Sequence, residues 1–154
     1  DLMEAVVAEW RRPASRCAGA LVWMLKDLSP GPGWGVVDSS GIPKLAWHAL
    51  RRAFRPVQVA LLDEGLNGLA VSLINETAAP VSAKLSLLCL QAGDVVVMRR
   101  ECEVLLPARS ARTMSSAQLI GSFFDITYAY RFGPPPLEVA IVTLEDAGTG
   151  ERFS

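Results

Sequence analysis

Up to residue 56 the apolar positions recur every three to four residues or crowd into one unbroken run, and from Val57 onward they alternate with a period of two. In the first part Leu2, Met3, Val6, Val7 and Trp10 fall at helical spacing with Glu4 and Glu9 opposite, which predicts an amphipathic helix over residues 1–12, Asp1 near its cap and Pro13 ending it. Residues 18–25 are apolar on both faces and of strand length, as expected for a strand buried between two layers. Pro30, Gly31, Pro32, Gly33 and Gly35 make residues 28–35 a loop. After the turn Ser39-Ser40-Gly41, Pro43 is placed as the first residue of a second helix, with Ala46, Ala49, Leu50 and Ala53 as its apolar face and Trp47 and Phe54 widening it. Arg51, Arg52 and Arg55 lie toward its C-terminal end, where cations suit the helix dipole, and Pro56 closes it.

The period-two part predicts strands at 57–62, 69–75, 81–89, 95–106 and, more weakly, 110–114. Asn67-Gly68 and Ala92-Gly93-Asp94 are the turns within it, and Val96, Met98, Cys102, Val104 and Leu106 are the expected inner set of the fourth strand. Residues 115–120 read as a helical turn or a crossover loop. Phe124, Ile126, Tyr128 and Tyr130 alternate again, residues 137–144 are apolar on both faces, and residues 148–154 are expected to turn into one more strand that the chain barely begins. Short strands at this spacing predict a mainly β fold: an immunoglobulin-like antiparallel β-sandwich, over 56–154, preceded by a helix–strand–helix piece, over 1–55. Helix, strand, loop and helix in that order make half of a (β/α)8 repeat, without the rest of its barrel.

Composition narrows the function. With 51% hydrophobic and 20% charged residues the 154-residue chain is globular, and a net charge of -1 carries no basic footprint for nucleic acid. No apolar run reaches the roughly 18 residues of a membrane span. Leu2–Trp10 has neither the basic start nor the cleavage site of a signal peptide, and the compartment stays open. Cys17, Cys89 and Cys102 are odd in number and irregular in spacing, so unpaired, buried thiols are expected rather than a disulfide framework or a zinc site. His48 is the only histidine, which leaves no Ser/His/Asp set and no metal ligand pair; no phosphate loop is present, and no cofactor is expected.

Gly19-Ala20-Leu21-Val22-Trp23, Asp27, Pro30, Trp34-Gly35-Val36-Val37-Asp38, Gly41 and Pro43-Lys44 together resemble the last barrel strand and last barrel helix of glycoside hydrolase family 2 enzymes, most closely the β-mannosidase-like members. The specific part covers residues 18–56; the sandwich is similar to the domain after the barrel mainly by its place in the chain. The resemblance implies that the chain is the C-terminal part of a retaining exo-β-glycosidase. Such enzymes use two carboxylic acids about 5 Å apart. In family 2 these are glutamates on the fourth and seventh barrel strands, which the resemblance places before Asp1, so no catalytic residue is expected here and the chain by itself is expected to be inactive.

The same resemblance marks Trp23, Asp27 and Trp34 as substrate-side residues. Barrel active sites lie at the C-terminal ends of the strands, where the Trp23 indole can stack on the apolar face of a pyranose; otherwise it is a core aromatic. Asp27 matches an acidic position that orders the loop or caps a turn, and Lys26 departs from the asparagine usual beside it. Trp34 lines the rim of the site or folds over the barrel end. The implied partners are the barrel of the same protein and a terminal β-linked sugar, with self-association through exposed apolar surface or an open sheet edge as a further expectation. The competing reading is a non-enzymatic sandwich module that binds carbohydrate or a protein through Phe123, Phe124, Tyr128, Tyr130, Phe132 or Phe153, with Tyr128 and Tyr130 expected to face inward.

Overall fold

The computed structural model describes residues 2–130 and 132–153, so the cap expected at Asp1 lies outside the described residues. The fold is mainly β, with antiparallel sheets and short helices, and the chain divides into two compact units, Asp1–Arg55 and Pro56–Ser154.

In the first unit, helix α1 (Leu2–Trp10) and helix α2 (Leu45–Ala53) pack through Val7, Leu50 and Ala53, with Val36 from the intervening segment completing the small core. Hydrogen bonds finish the joint: Arg52 donates through Nε and Nη2 to the two carboxylate oxygens of Glu4 at 2.6 and 2.9 Å, and the Arg11 guanidinium donates to the carbonyls of Ala53 and Arg55 at the end of α2. Those carbonyls have no partner within the helix, so a guanidinium beside them suits both their hydrogen bonding and the helix dipole. Pro43 precedes the helix rather than starting it: it is held in a bridge to Val37, Lys44 is the N-cap, and the first helical residue is Leu45.

The expected strand over 18–25 does not form. These residues run outside regular structure, and among the described residues their N–H groups find no main-chain acceptor. Strand geometry needs a neighbour about 4.8 Å away to accept those bonds, and the first unit supplies only a short neck. There Lys26 bridges Val37 in parallel, and the Val36 and Val37 N–H groups donate to the carbonyls of Met24 and Leu25 at 3.1 and 2.9 Å.

The second unit is a pair of three-stranded sheets. One has the order β1 (Val57–Asp63), β2 (Leu69–Asn75), β5 (Ser110–Ser115); the other has β4 (Val95–Leu106), β3 (Val81–Gln91), β6 (Val139–Asp146). Every pairing is antiparallel. The sheets face each other across Val59, Val71 and Leu73 from one and Leu85, Val104, Leu106 and Leu144 from the other, an inner layer that the period-two pattern dictates. At one end Asn75, fully buried, donates to the carbonyls of Ala79, Leu106 and Pro107 while its own oxygen accepts from Thr77, tying β2 to the ends of β3 and β4.

Two sequence expectations change here, and one open alternative is decided. Val96 is exposed, because the β3–β4 register slips between Cys89 and Leu90 and a bulge turns the rest of β4 over. Phe124, Ile126, Tyr128 and Tyr130 form no strand: the buried Asp125 carboxylate accepts the N–H groups of Ala129 and Tyr130 at 2.8 and 2.9 Å and folds the chain back, with Tyr128 at a φ of 57°. Ile126 still reaches a core beside Leu87, Cys89 and Ile120, but Tyr130 is thrown outward. Residues 116–120 form helix α3 (Ser116–Ile120), with Ser115 and Gln118 as a reciprocal capping box and Gly121 in the left-handed conformation that stops it. At the C-terminal end, Arg152 pairs with Glu145 and the Phe153 N–H donates to the Leu144 carbonyl, so residues 151–153 lie along β6.

Candidate functional site

The first unit holds an apolar cavity of about 510 Å³, whose walls include Met3, Trp10, Val22, Trp23, Trp34 and Phe54. Trp23 and Trp34 leave 86% and 84% of their surface exposed, so neither is a core aromatic within this chain; both present indole surface to whatever occupies the cavity. The Trp23–Met24 peptide is cis.

Asp27, four residues after Trp23, points inward and is 4% exposed. Its Oδ1 accepts the Gly35 N–H at 2.6 Å and its Oδ2 accepts from the Lys44 ammonium, which also donates to the Gly33 carbonyl at 3.1 Å. The hydrogen bond from Lys44 and, after it, that from Gly35 hold the carboxyl below its ordinary value of 3.8. The loop can come this close only because it is glycine on both sides of Trp34: a Cβ at Gly33 would stand 2.3 Å from Asp27 Oδ1, and one at Gly35 2.5 Å from the Asp27 nitrogen. Asp27 therefore spends both oxygens inside the protein.

Lys44 is the residue that the sequence reading missed as part of this site. A cation at a helix N-cap opposes the dipole, and α2 has no acidic residue in its first turn to offset it. A lysine in that place signals an anion nearby, and Asp27 is that anion.

The other candidates resolve into structural parts. Asp38 accepts from Ser40 N–H, Ser40 Oγ and Ile42 N–H at 2.9, 2.7 and 2.8 Å and shapes the turn before Pro43; the Ile42 bond, then that of the Ser40 hydroxyl, lower its pKa. His48 stands edge-on to Trp47 at 5.1 Å, with the Arg51 guanidinium 5.6 Å from the same indole. Glu4 and Glu101 are held below their usual range by hydrogen bonds from Arg52 and Lys84, opposite to the raised pKa that a general acid requires. Cys89 is buried, Cys102 partly so, and Cys17 is exposed, against the expectation that all three would be buried; its place in the irregular stretch before the apolar run gives it nothing to pack on. Among the described residues no group of His, Cys, Asp and Glu is arranged to hold a metal ion, and no helix is long and apolar enough to cross a membrane. In the second unit Phe123 and Tyr130 meet edge to face at 5.8 Å and 66° beside a smaller cavity of about 210 Å³.

Comparison with solved structures places the fold. A β-D-mannosidase from Dictyoglomus thermophilum superposes with a TM-score of 0.74 over 94% of this chain, at 21% identity, and the exo-chitosanase of Amycolatopsis orientalis with 0.66 over 99%, at 15%. In both cases the matched part is 16% of the longer chain. The architecture is thus that of a glycosidase region. In sequence, the chain is 41% identical over 54 residues to β-mannosidase B of Thermothelomyces thermophilus and 40% identical over 58 residues to that of Aspergillus niger. These matches take in 34% and 36% of this chain but only 6% and 7% of those proteins' length. No protein-family model matches. Sequence and fold together support a glycoside hydrolase-derived region that is similar to β-mannosidases.

Proposed function

We propose that the chain is the C-terminal, non-catalytic portion of a retaining exo-β-glycosidase that removes terminal β-linked sugars, a β-mannosidase-like enzyme in its intact form. Residues 1–55 are the last part of the catalytic barrel, and residues 56–154 are the sandwich that buttresses it. The observation that carries this reading is the state of residues 18–23: an apolar run outside regular structure whose N–H groups find no main-chain acceptor among the described residues, ending in an indole that lies open on an apolar cavity. A barrel strand taken from between its neighbours has that appearance, and barrel chemistry sits at its C-terminal end. Trp23 and Trp34 would then face the sugar, and Asp27 would act by holding the loop between them.

The reading of the second unit as an independent sugar-binding module has weaker support. A sugar platform offers coplanar ring faces, whereas Phe123 and Tyr130 meet at 66°. The test is hydrolysis of 4-nitrophenyl β-D-mannoside by two purified proteins: this 154-residue chain, and the same chain continued upstream through the whole barrel with both of its glutamate-bearing strands. Turnover by the longer protein and none by the shorter is expected. Turnover by the shorter, or binding of mannosides to it in calorimetry, would overturn the proposal.

A further inference from the structure

The Asp27–Lys44 pair touches the chain at Gly33 and Gly35, one residue on either side of Trp34. Lys44 takes the Gly33 carbonyl at 3.1 Å, and Asp27 Oδ1 takes the Gly35 N–H at 2.6 Å. The peptide groups flanking Trp34 are thus pinned by a single ion pair, while its indole, 84% exposed, has little packing of its own to fix it. The same pair is anchored on both walls of the cavity. The Asp27 N–H donates to the Val37 carbonyl at 3.0 Å, at the end of the run that carries Trp23, and the Lys44 N–H donates to the Val36 carbonyl at 2.9 Å, at the start of α2. Burial of the carboxylate, with the ammonium only partly exposed, makes the contact stiffer than a surface pair.

From this geometry we infer that Lys44 is a positioning residue for substrate recognition: through Asp27 and Gly33 it sets the direction of the Trp34 indole at the cavity that Trp23 shares. Lys44 itself need not meet the sugar. The inference rests on the glycosidase reading above, and it adds a residue that the reading does not contain. It also separates two jobs in the loop. Trp34 supplies ring surface for a pyranose, and the ion pair supplies the orientation without which that surface is spread over many rotamers.

The test is a double-mutant cycle in the longer protein that carries this chain, with KM and kcat for 4-nitrophenyl β-D-mannoside as readouts. Lys44→Met is expected to raise KM about tenfold with a smaller change in kcat, the mark of lost binding rather than lost chemistry. In a Trp34→Ala background the same substitution is expected to raise KM less than about twofold, because the group it positions is gone. An equal effect of Lys44→Met in both backgrounds would overturn the inference, since a lysine that only holds the fold acts whether or not Trp34 is present. Where Lys44→Met does not yield folded protein, Lys44→Gln, which keeps a donor for Gly33 and drops the charge, runs the same cycle with the same two outcomes. An unmutated longer protein without turnover would instead overturn the glycosidase reading, so the two failures are distinct.

Discussion

The first and second units spend their apolar residues differently. In the second, Leu73, Leu85, Leu87 and Leu144 are wholly buried in cores that the unit's own sheets close. In the first, Leu21, Trp23, Leu25, Leu28 and Trp34 stand mostly in the open, and the core beneath them is four buried residues. Exposed apolar side chains scattered singly are ordinary, but five within fourteen positions, three of them lining one cavity, are a surface awaiting cover. A unit that completes its own sheets can be read as self-sufficient; one that leaves an apolar run without strand partners has its physical explanation outside itself.

The contrast breaks most visibly at the level of stability. Leu85→Ala should cost about 3 kcal/mol in urea unfolding, through lost burial and the cavity left behind. Trp23→Ala, although it removes a larger side chain, should change the same transition by less than about 0.5 kcal/mol. Comparable losses at the two positions would erase the distinction. Next in size, Asn75→Ala should destabilise the second unit by about 2 kcal/mol, because the carbonyls of Ala79, Leu106 and Pro107 lose their donor together.

Acid should act on the first unit through Asp27. Its folded pKa lies below the ordinary 3.8, so the ionised form favours the fold. That contribution is fully present above pH 3.8 and is lost as the pH falls below it through the depressed value. The near-ultraviolet circular dichroism of the tryptophans, all of which lie in the first unit, should report the loss in that range, and Asp27→Asn should abolish that step. The smallest effect is chemical: Cys17 should react with a thiol reagent in native protein, while Cys89, whose thiol burial pushes up, should react only on unfolding.

The same division explains what was legible in the sequence. The second unit follows from local pattern because one face of each strand goes inward and β1–β2 and β3–β4 pair as chain neighbours; β1 to β5 stand within a few residues of where alternation puts them. Alternation misled where a single polar group outweighed it. Asp125 bent residues 124–130 out of strand geometry by capturing two N–H groups, and a bulge reversed Val96. In the first unit the apolar run was correctly apolar, yet a strand is a relation between segments, and among the described residues only 24–26, at its end, find a partner segment. Trp23, Asp27 and Trp34 were visible as residue types among breakers. Lys44 was hidden because its partner lies 17 positions away, and only its awkward place at a helix N-cap gave a sign.

Hydrogen exchange of the main-chain amides of residues 18–23 measures most directly whether this run is a strand without its neighbours. In the 154-residue chain these amides should exchange at rates close to those of an unfolded peptide while the amides of β2 and β3 stay protected, and in the longer protein they should become as slow as β3. Strong protection of residues 18–23 in the 154-residue chain, or none in the longer protein, would contradict the account.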